Sequence, residues 1–338
     1  MLLFKGRSCV VRWPKVIGEV LGMNIVMITE NDPAGMGIAF TNAINRWTEH
    51  SCRLITTTTK YNFNFEKDIH VPDLDDDGFE EIADILSHAD IIHFHILADE
   101  NMELGPVKVK DYVGGKEILH HHHGHPDFRA YPEKYREKYR RLKRKVLVST
   151  PDLLRLMPEA TWQPNLVPIN DPLYVPVSSN ANGAVRICHC PTRRDLKNTQ
   201  EFESVISSLQ KKHRDVEGVI VQDTPHSRCL KVRQTCDIHF DHMQGYFGVS
   251  SLEGLSQGKP VIAGLDEWNI RHIQEFSGRD RIPWVLARNR RELEDKMERL
   301  VTDPDLRQAS GRASREFMEQ TWSEPIALQP LLDTYSQF

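Results

Sequence analysis

Gly245-Tyr246-Phe247-Gly248-Val249-Ser250-Ser251-Leu252-Glu253-Gly254-Leu255-Ser256-Gln257-Gly258-Lys259-Pro260-Val261-Ile262-Ala263-Gly264 reads as a glycine-rich loop, a short helix, a turn and a buried strand. Gly248 lets the backbone approach a ligand closely, and Ser250 or Ser251 is placed to cap the helix. A helix N-terminus behind a glycine loop is a natural phosphate site, because its free amides point at the loop. Glu253 is expected in the first turn, where the dipole stabilises a carboxylate that could accept hydrogen bonds from hydroxyls. A phosphate and a sugar hydroxyl could then be held side by side. The same spacing also suits an ordinary loop-helix-strand unit of an α/β fold.

The chain of 338 residues is long enough for two domains with separate cores, and 39% hydrophobic with 27% charged residues is the balance of a soluble globular protein. A net charge of -5 argues against general nucleic-acid binding, so no nucleic-acid partner is expected. No apolar run approaches the length needed to span a bilayer. Met1-Leu2-Leu3-Phe4 is soon interrupted by Lys5, Arg7, Arg12 and Lys15, which does not suit a secretory signal. The six cysteines, at 9, 52, 188, 190, 229 and 236, include no Cys-x-x-Cys pair, which favours reduced thiols and a cytoplasmic setting.

Along the chain, strand and helix patterns alternate. Residues 1–22 match neither pattern and read as an N-terminal extension, with Met23 an alternative start and a basic membrane-surface segment the functional alternative. The strand Asn24 to Ile28 leads through Asp32-Pro33-Ala34-Gly35-Met36-Gly37 into a helix over about 38–48, a βα unit whose loop can approach a ligand, although no dinucleotide fingerprint is complete. The acidic run Asp73 to Asp77 is expected to cap a helix over 79–87. The strand Asp90 to His95 places His95 near the carboxyl edge of a parallel sheet. Lys116 to Leu119 forms another strand, running into His120-His121-His122-His123-Gly124-His125. Consecutive histidines on an extended chain point to alternate faces and no carboxylate or cysteine pattern completes a shell, so one histidine touching substrate is favoured over a metal site. Arg129 follows closely and could pair with an anionic group. The segment 133–145 carries eight Lys or Arg residues against Glu133 and Glu137. It reads as a solvated helix face, with contact to anionic lipid or an anionic acceptor as the sharper alternative.

A second alternating set begins at Val185. Its first strand ends in Pro191-Thr192-Arg193-Arg194-Asp195-Leu196-Lys197-Asn198-Thr199, where three cations at a strand-to-helix junction suit a diphosphate. Strands near 219–221, 237–240 and 284–286 come next, with helices over about 291–301 and 305–321 and a tail helix over 326–335.

Glu253 with Gly258-Lys259-Pro260-Val261-Ile262, preceded by Gly245 and Gly248, resembles the donor-binding signature of GT-B glycosyltransferases, in particular the retaining glycosyltransferase family four. The similarity extends along most of residues 23–321, through Gly35 to Gly37, His93-Phe94-His95, the His123-Gly124 step with Arg129, Ser149 to Leu153 and Pro191 to Thr199. The resemblance implies an α/β protein with two Rossmann-like domains facing each other across a cleft. They are expected at 23–170, for the acceptor, and 185–321, for the donor, joined by a linker over 171–184. The C-terminal helix over 322–338 would pack back on the first domain.

Carried over by position, Arg193 or Arg194 and Lys197 would grip the diphosphate and Glu253 would bind the ribose. The amides of Gly248, Val249, Ser250 and Ser251 would face phosphate or sugar. Gly35 and Gly37 would border the donor, and His123 would lie near the transferred sugar. His123, Arg194 and Lys197 are thus the catalytic candidates, and His95, Arg129 and Asp241 the candidate sugar or acceptor contacts. The co-substrate would be a nucleotide-diphospho-sugar, with no cofactor and no metal in the reaction. The implied reaction is retaining sugar transfer to a glycan or lipid-linked acceptor, in the cytoplasm or at the inner face of the membrane. The family has a second glutamate eight positions before Glu253, where this chain has Gly245, and Asp241 is the candidate substitute. A GT-B nucleotide-sugar epimerase and a non-catalytic sugar-nucleotide-binding protein are the rival readings.

Overall fold

The structure, a computed structural model, describes residues 22–61, 65–177 and 183–338. The expected extension, all but Gly22, and residues 178–182 of the expected linker lie outside the described residues.

The first half comprises β1 (Asn24–Thr29), α1 (Met36–Trp47), β2 (Ser51–Thr56), β3 (Ile69–His70), α2 (Asp76–His88), β4 (Ile91–His95), the hairpin β5 (Glu103–Leu104) and β6 (Val107–Lys108), β7 (Glu117–His122), α3 (Pro126–Ala130), α4 (Pro132–Leu142), β8 (Lys145–Val148) and β9 (Thr161–Trp162). Seven of these strands pair in the order β3-β2-β1-β4-β7-β8-β9, every pair parallel. Helices cover both faces, so β1 and β4 are buried almost without break rather than at alternate residues. Asp75 caps α2 by accepting from the Gly78 amide, and the helix starts at Asp76, earlier than the acidic run alone suggested.

The second half comprises β10 (Val185–His189), α5 (Thr199–Lys212), β11 (Val216–Ile220), α6 (His226–Gln234), β12 (Ile238–Phe240), α7 (Val249–Ser256), β13 (Val261–Ala263), α8 (Glu267–Ser277), β14 (Val285–Leu286), α9 (Arg290–Thr302), α10 (Pro304–Thr321) and α11 (Glu324–Tyr335). Its sheet, β11-β10-β12-β13-β14, is also parallel throughout. This is the α/β architecture of two Rossmann-like units. In each sheet the strand order reverses once, between β1 and β4 and between β10 and β12. Ligands of open α/β sheets bind outside the strand ends at such reversals.

Two sequence readings change here. The strand expected to stop at Leu119 continues to His122, and His120, His121 and His122 are each no more than 2% exposed. Alternation still holds: His122 stacks on Phe128, while His121 packs against Phe40 of α1 from the other face. The helix expected over about 38–48 begins two residues earlier, at Met36, and beyond Thr150 the chain forms only a short 3₁₀ turn, Pro151–Arg155.

After α10 the chain leaves the second unit. Trp322 donates its indole N–H to the Asn165 carbonyl at 2.9 Å, and Gln163 donates to the Ala327 carbonyl at 2.7 Å. Helix α11 then lies against α1, with Ala327, Leu328, Leu331 and Tyr335 in the core, and the Tyr335 hydroxyl meets His93 Nδ1 at 2.8 Å.

Candidate functional site

The loops after β1, β7, β10 and β12 enclose a cleft of about 290 Å³, lined by Ala34, His123, Gly124 and Arg129 from one unit and by Lys197, Asp241, Tyr246, Gly248, Val249, Ser250 and Glu253 from the other. A groove of about 570 Å³ adjoins it past Gly35, Tyr174, His226 and Glu253.

Glu253 is 5% exposed and both its oxygens are engaged. One meets His226 Nε2 at 2.5 Å and the other accepts from Arg233 Nη1 at 2.5 Å. Burial favours the neutral acid, yet Arg233 and His226 win and hold the carboxyl down at about 2. Arg233, 1% exposed, also donates Nη2 to the Ser250 hydroxyl at 3.0 Å. Each carboxylate oxygen keeps a second lone pair for a hydroxyl donor from the cleft. Glu253 sits one turn further into α7 than expected, because the helix begins at Val249 behind Gly248.

The cap is also not a serine of the helix. Asp241, at the end of β12, takes that part: its Oδ2 accepts from the Gly248 amide and the Ser251 hydroxyl, both at 2.8 Å. Burial opposes its ionisation, but His242, Lys197 and the Gly248 amide hold it well below the usual carboxylate range. Lys197 Nζ lies 3.9 Å from the other Asp241 oxygen, and burial lowers its pKa while Asp241 pulls the other way. Gly248 is required for closeness rather than for its torsions: a Cβ there would stand 3.3 Å from Lys197 Nζ and 3.4 Å from Asp241. Gly245, by contrast, has φ +89°, a conformation that a glutamate would adopt only under strain. The carboxylate nearest the start of a side chain at position 245 is Asp266, 3.7 Å away, rather than Asp241.

The three cations of the β10–α5 junction separate. Only Lys197 enters the cleft. Arg193 pairs with Asp195 and lines a neighbouring cavity with Arg129, Gly245 and Tyr246, whereas Arg194 pairs with Glu203 of α5, each ion pair at 2.5 Å. Arg194 therefore does not line this cleft, being held by Glu203 on the helix that follows it.

From the first unit, His123 Nε2 meets His95 Nδ1 at 3.0 Å, and burial lowers the His123 pKa to about 4. Arg129 donates Nε to the Gly124 carbonyl, pairs with Asp152 at 2.7 Å, and lies 4.8 Å over the Tyr246 ring across the cleft. Gly35 (φ +67°) precedes α1 and lines the groove, with its Cβ position blocked by the Phe65 ring. Gly37 lies inside α1, packed against Leu54 and Asp32, and borders none of these cavities. The loop is capped by Asp32, whose Oδ2 accepts from the Ile38 amide.

Adjacent parallel strands bring His93, His95, His121 and His123 to one face, a juxtaposition invisible in one strand's spacing. Ring centroids of His93 and His95 are 4.3 Å apart at 25°, and His93 and His121 lie at 16°. One ring nitrogen from each of His93, His95 and His121 lies within 4.8 Å of the other two, and burial keeps the three imidazoles neutral.

Sequence reasoning missed His226 and Arg233. Both lie on α6, whose Cys229, Leu230 and Val232 are its only apolar side chains and give no clear buried stripe. The basic segment 133–145 is largely neutralised within the fold: Arg136 pairs with Glu133 and Glu159, Lys138 with Asp99, and Arg144 with Glu100. Among the described residues no helix is long and apolar enough to cross a membrane.

No family model and no curated protein matches the chain. Solved structures do. Anabaena HepE, in complex with UDP and glucose, superposes with a TM-score of 0.64 at 10% identity over 94% of this chain and all of that one. A glycosyltransferase from Rickettsia africae gives 0.59 at 14% identity, covering 93% and 98%. Sucrose-phosphate synthase from Thermosynechococcus elongatus gives 0.55 at 15%, again covering 93% and 98%. The chain spans 54% of the length of S. aureus TarM, with a TM-score of 0.50. At these identities the likeness is one of fold, that of GT-B glycosyltransferases.

Proposed function

We propose that this chain is a glycosyltransferase that moves a sugar from a nucleotide-diphospho-sugar to a glycan or lipid-linked acceptor, as a member of or close to family four. The observation that carries the reading is the pairing of Glu253 and Lys197 on one cleft at the strand-order reversal of the second sheet. Solved structures that share the fold hold UDP, which supports a nucleotide donor. The Glu253 carboxylate, ionised and fixed by Arg233 and His226, is placed to accept ribose hydroxyls. The amides that open α7 and the Lys197 ammonium would carry the diphosphate charge as the glycosidic bond to it breaks, the main electrostatic task of such a step. His123, neutral at pH 7, would offer the sugar a hydrogen bond rather than a charge. With cations and amides filling that role, the reaction is proposed to proceed with retention and without a metal at the diphosphate.

Incubation with a panel of nucleotide-sugars, with nucleotide release as the readout, tests this. Turnover is expected to fall about 10²–10³-fold in Lys197→Ala, the size seen when one charge-stabilising donor is removed. Gly245 favours a second reading, a sugar-nucleotide-binding protein without turnover, because the position lacks the second carboxylate. Tight nucleotide binding with no release from any donor would favour that reading; a new sugar isomer without acceptor would favour an epimerase.

A further inference from the structure

The face of the second sheet beneath α6 and α7 carries sulfur and imidazole where aliphatic side chains would be ordinary. Cys188 and Cys190 are two apart, so both point to the same face. His239 stands opposite Cys188 in the β10–β12 register, with Nδ1 3.3 Å from Sγ. Cys229 on α6 lines the same cleft as Cys190. The ligand atoms of Cys188, Cys190 and His239 all lie within 4.8 Å of one another. Tetrahedral zinc with sulfur at about 2.3 Å and nitrogen at about 2.0 Å sets its ligands roughly 3.5–3.8 Å apart, a small contraction from what is seen.

The surroundings of His239 are those of a metal ligand. Its Nε2 meets the Ser250 hydroxyl at 3.0 Å, which fixes the ring and leaves Nδ1 directed at Cys188. Burial holds the imidazole neutral, with its pKa at about 4. The buried Arg233 guanidinium is an electrostatic neighbour of Cys188, Cys190 and Cys229, so thiolate charge would be balanced. An ion could enter, because Cys190 is half-buried and lines the cleft together with Cys229.

We propose that Cys188, Cys190 and His239 bind one tetrahedral divalent transition-metal ion of the zinc type, with the fourth position open to the cleft that Cys229 also lines. Each coordinating thiol releases its proton to solvent as the ion binds, so affinity weakens as the solution is made more acidic. The ion sits behind the cleft and touches neither Lys197 nor Glu253. It acts on the cleft through Ser250 and Arg233, which it holds in place, and it is independent of whether the chain transfers sugar.

The test uses the full chain, reduced, stripped with chelator and titrated with cobalt(II). One equivalent is expected to give tetrahedral visible bands and a thiolate-to-cobalt charge-transfer band, both displaced by zinc. Cys190→Ser, at a partly exposed position, should weaken binding about 100-fold or more, and His239→Asn similarly, while Cys52→Ser, on β2 of the first unit, leaves both bands. Circular dichroism of each variant checks that it is folded. Folded wild-type protein without a stoichiometric charge-transfer band would overturn the proposal. So would an unchanged band in Cys190→Ser, or a Cys190–Cys229 disulfide as the resting form in mass spectrometry of protein purified without reductant.

Discussion

Arg233 shows how one side chain can serve stability and chemistry together. It is buried, it carries one oxygen of Glu253, and it reaches Ser250 at the start of α7. Removing one partner of a buried ion pair leaves a charge without compensation, at a cost of about 3–5 kcal/mol. Arg233→Met should therefore lower the urea midpoint by that free energy. The double variant Arg233→Met with Glu253→Leu should recover much of it, since an apolar pair of similar volume is often no worse than the ions it replaces. A double variant as unstable as the single one would show that Arg233 stabilises through Ser250 and not through Glu253. None of this was legible in the sequence. Glu253 stood out by its motif, but its partners are 20 and 27 residues upstream on a helix with no clear stripe.

At the scale of elements, β4 and β7 together make a layer of imidazoles whose titration sets an acid limit. Burial lowers the pKa values of His93, His95, His121 and His122 well below their ordinary value, and that of His123 to about 4. As pH falls through about 6.5 the unfolded chain takes up protons that the folded chain refuses, so stability rises with pH in this window and is lost below it. Each such group contributes up to about 1.4 kcal/mol per pH unit. Glu253 adds loss of the same sign between its ordinary value and about 2. Denaturation midpoints at pH 7.5 and 5.5 should differ clearly, and His121→Val should flatten that dependence. An unchanged slope in the variant would sink this account. The strands themselves were readable, because parallel sheets covered on both faces leave unbroken apolar runs. The histidine strand was cut short at Leu119, since polar residues do not announce a buried strand when their partners lie on the neighbouring one. The cysteines were likewise read as scattered, and it takes the β10–β12 register to bring Cys188 and His239 together.

At the scale of the molecule, the two units meet at Arg129 and Tyr246, at Phe65 and His226, at Trp162 and Phe276, and around Arg155. Arg155 pairs with Asp266 at 2.9 Å and lies over the Trp268 ring, whose N–H reaches the Pro151 carbonyl at 2.7 Å. The ion pair is half exposed and worth about 1 kcal/mol or less. Arg155→Ala combined with Trp268→Phe is expected to leave stability within roughly that amount of the wild type. It should increase the radius of gyration of the ligand-free protein in solution scattering, and an identical profile would show that these contacts do not hold the cleft closed. The C-terminal helix α11 is a further bridge, crossing from the second unit to the first. Because Tyr335 and its helix complete the core under β4, His93 must wait for a residue 242 positions later. During synthesis at about 5–20 residues per second, the N-terminal unit stays open on that face for on the order of nine to thirty-five seconds after its last strand has been made. The half made first is thus the half finished last, and chains that stop short of residue 324 should expose their imidazole layer and aggregate.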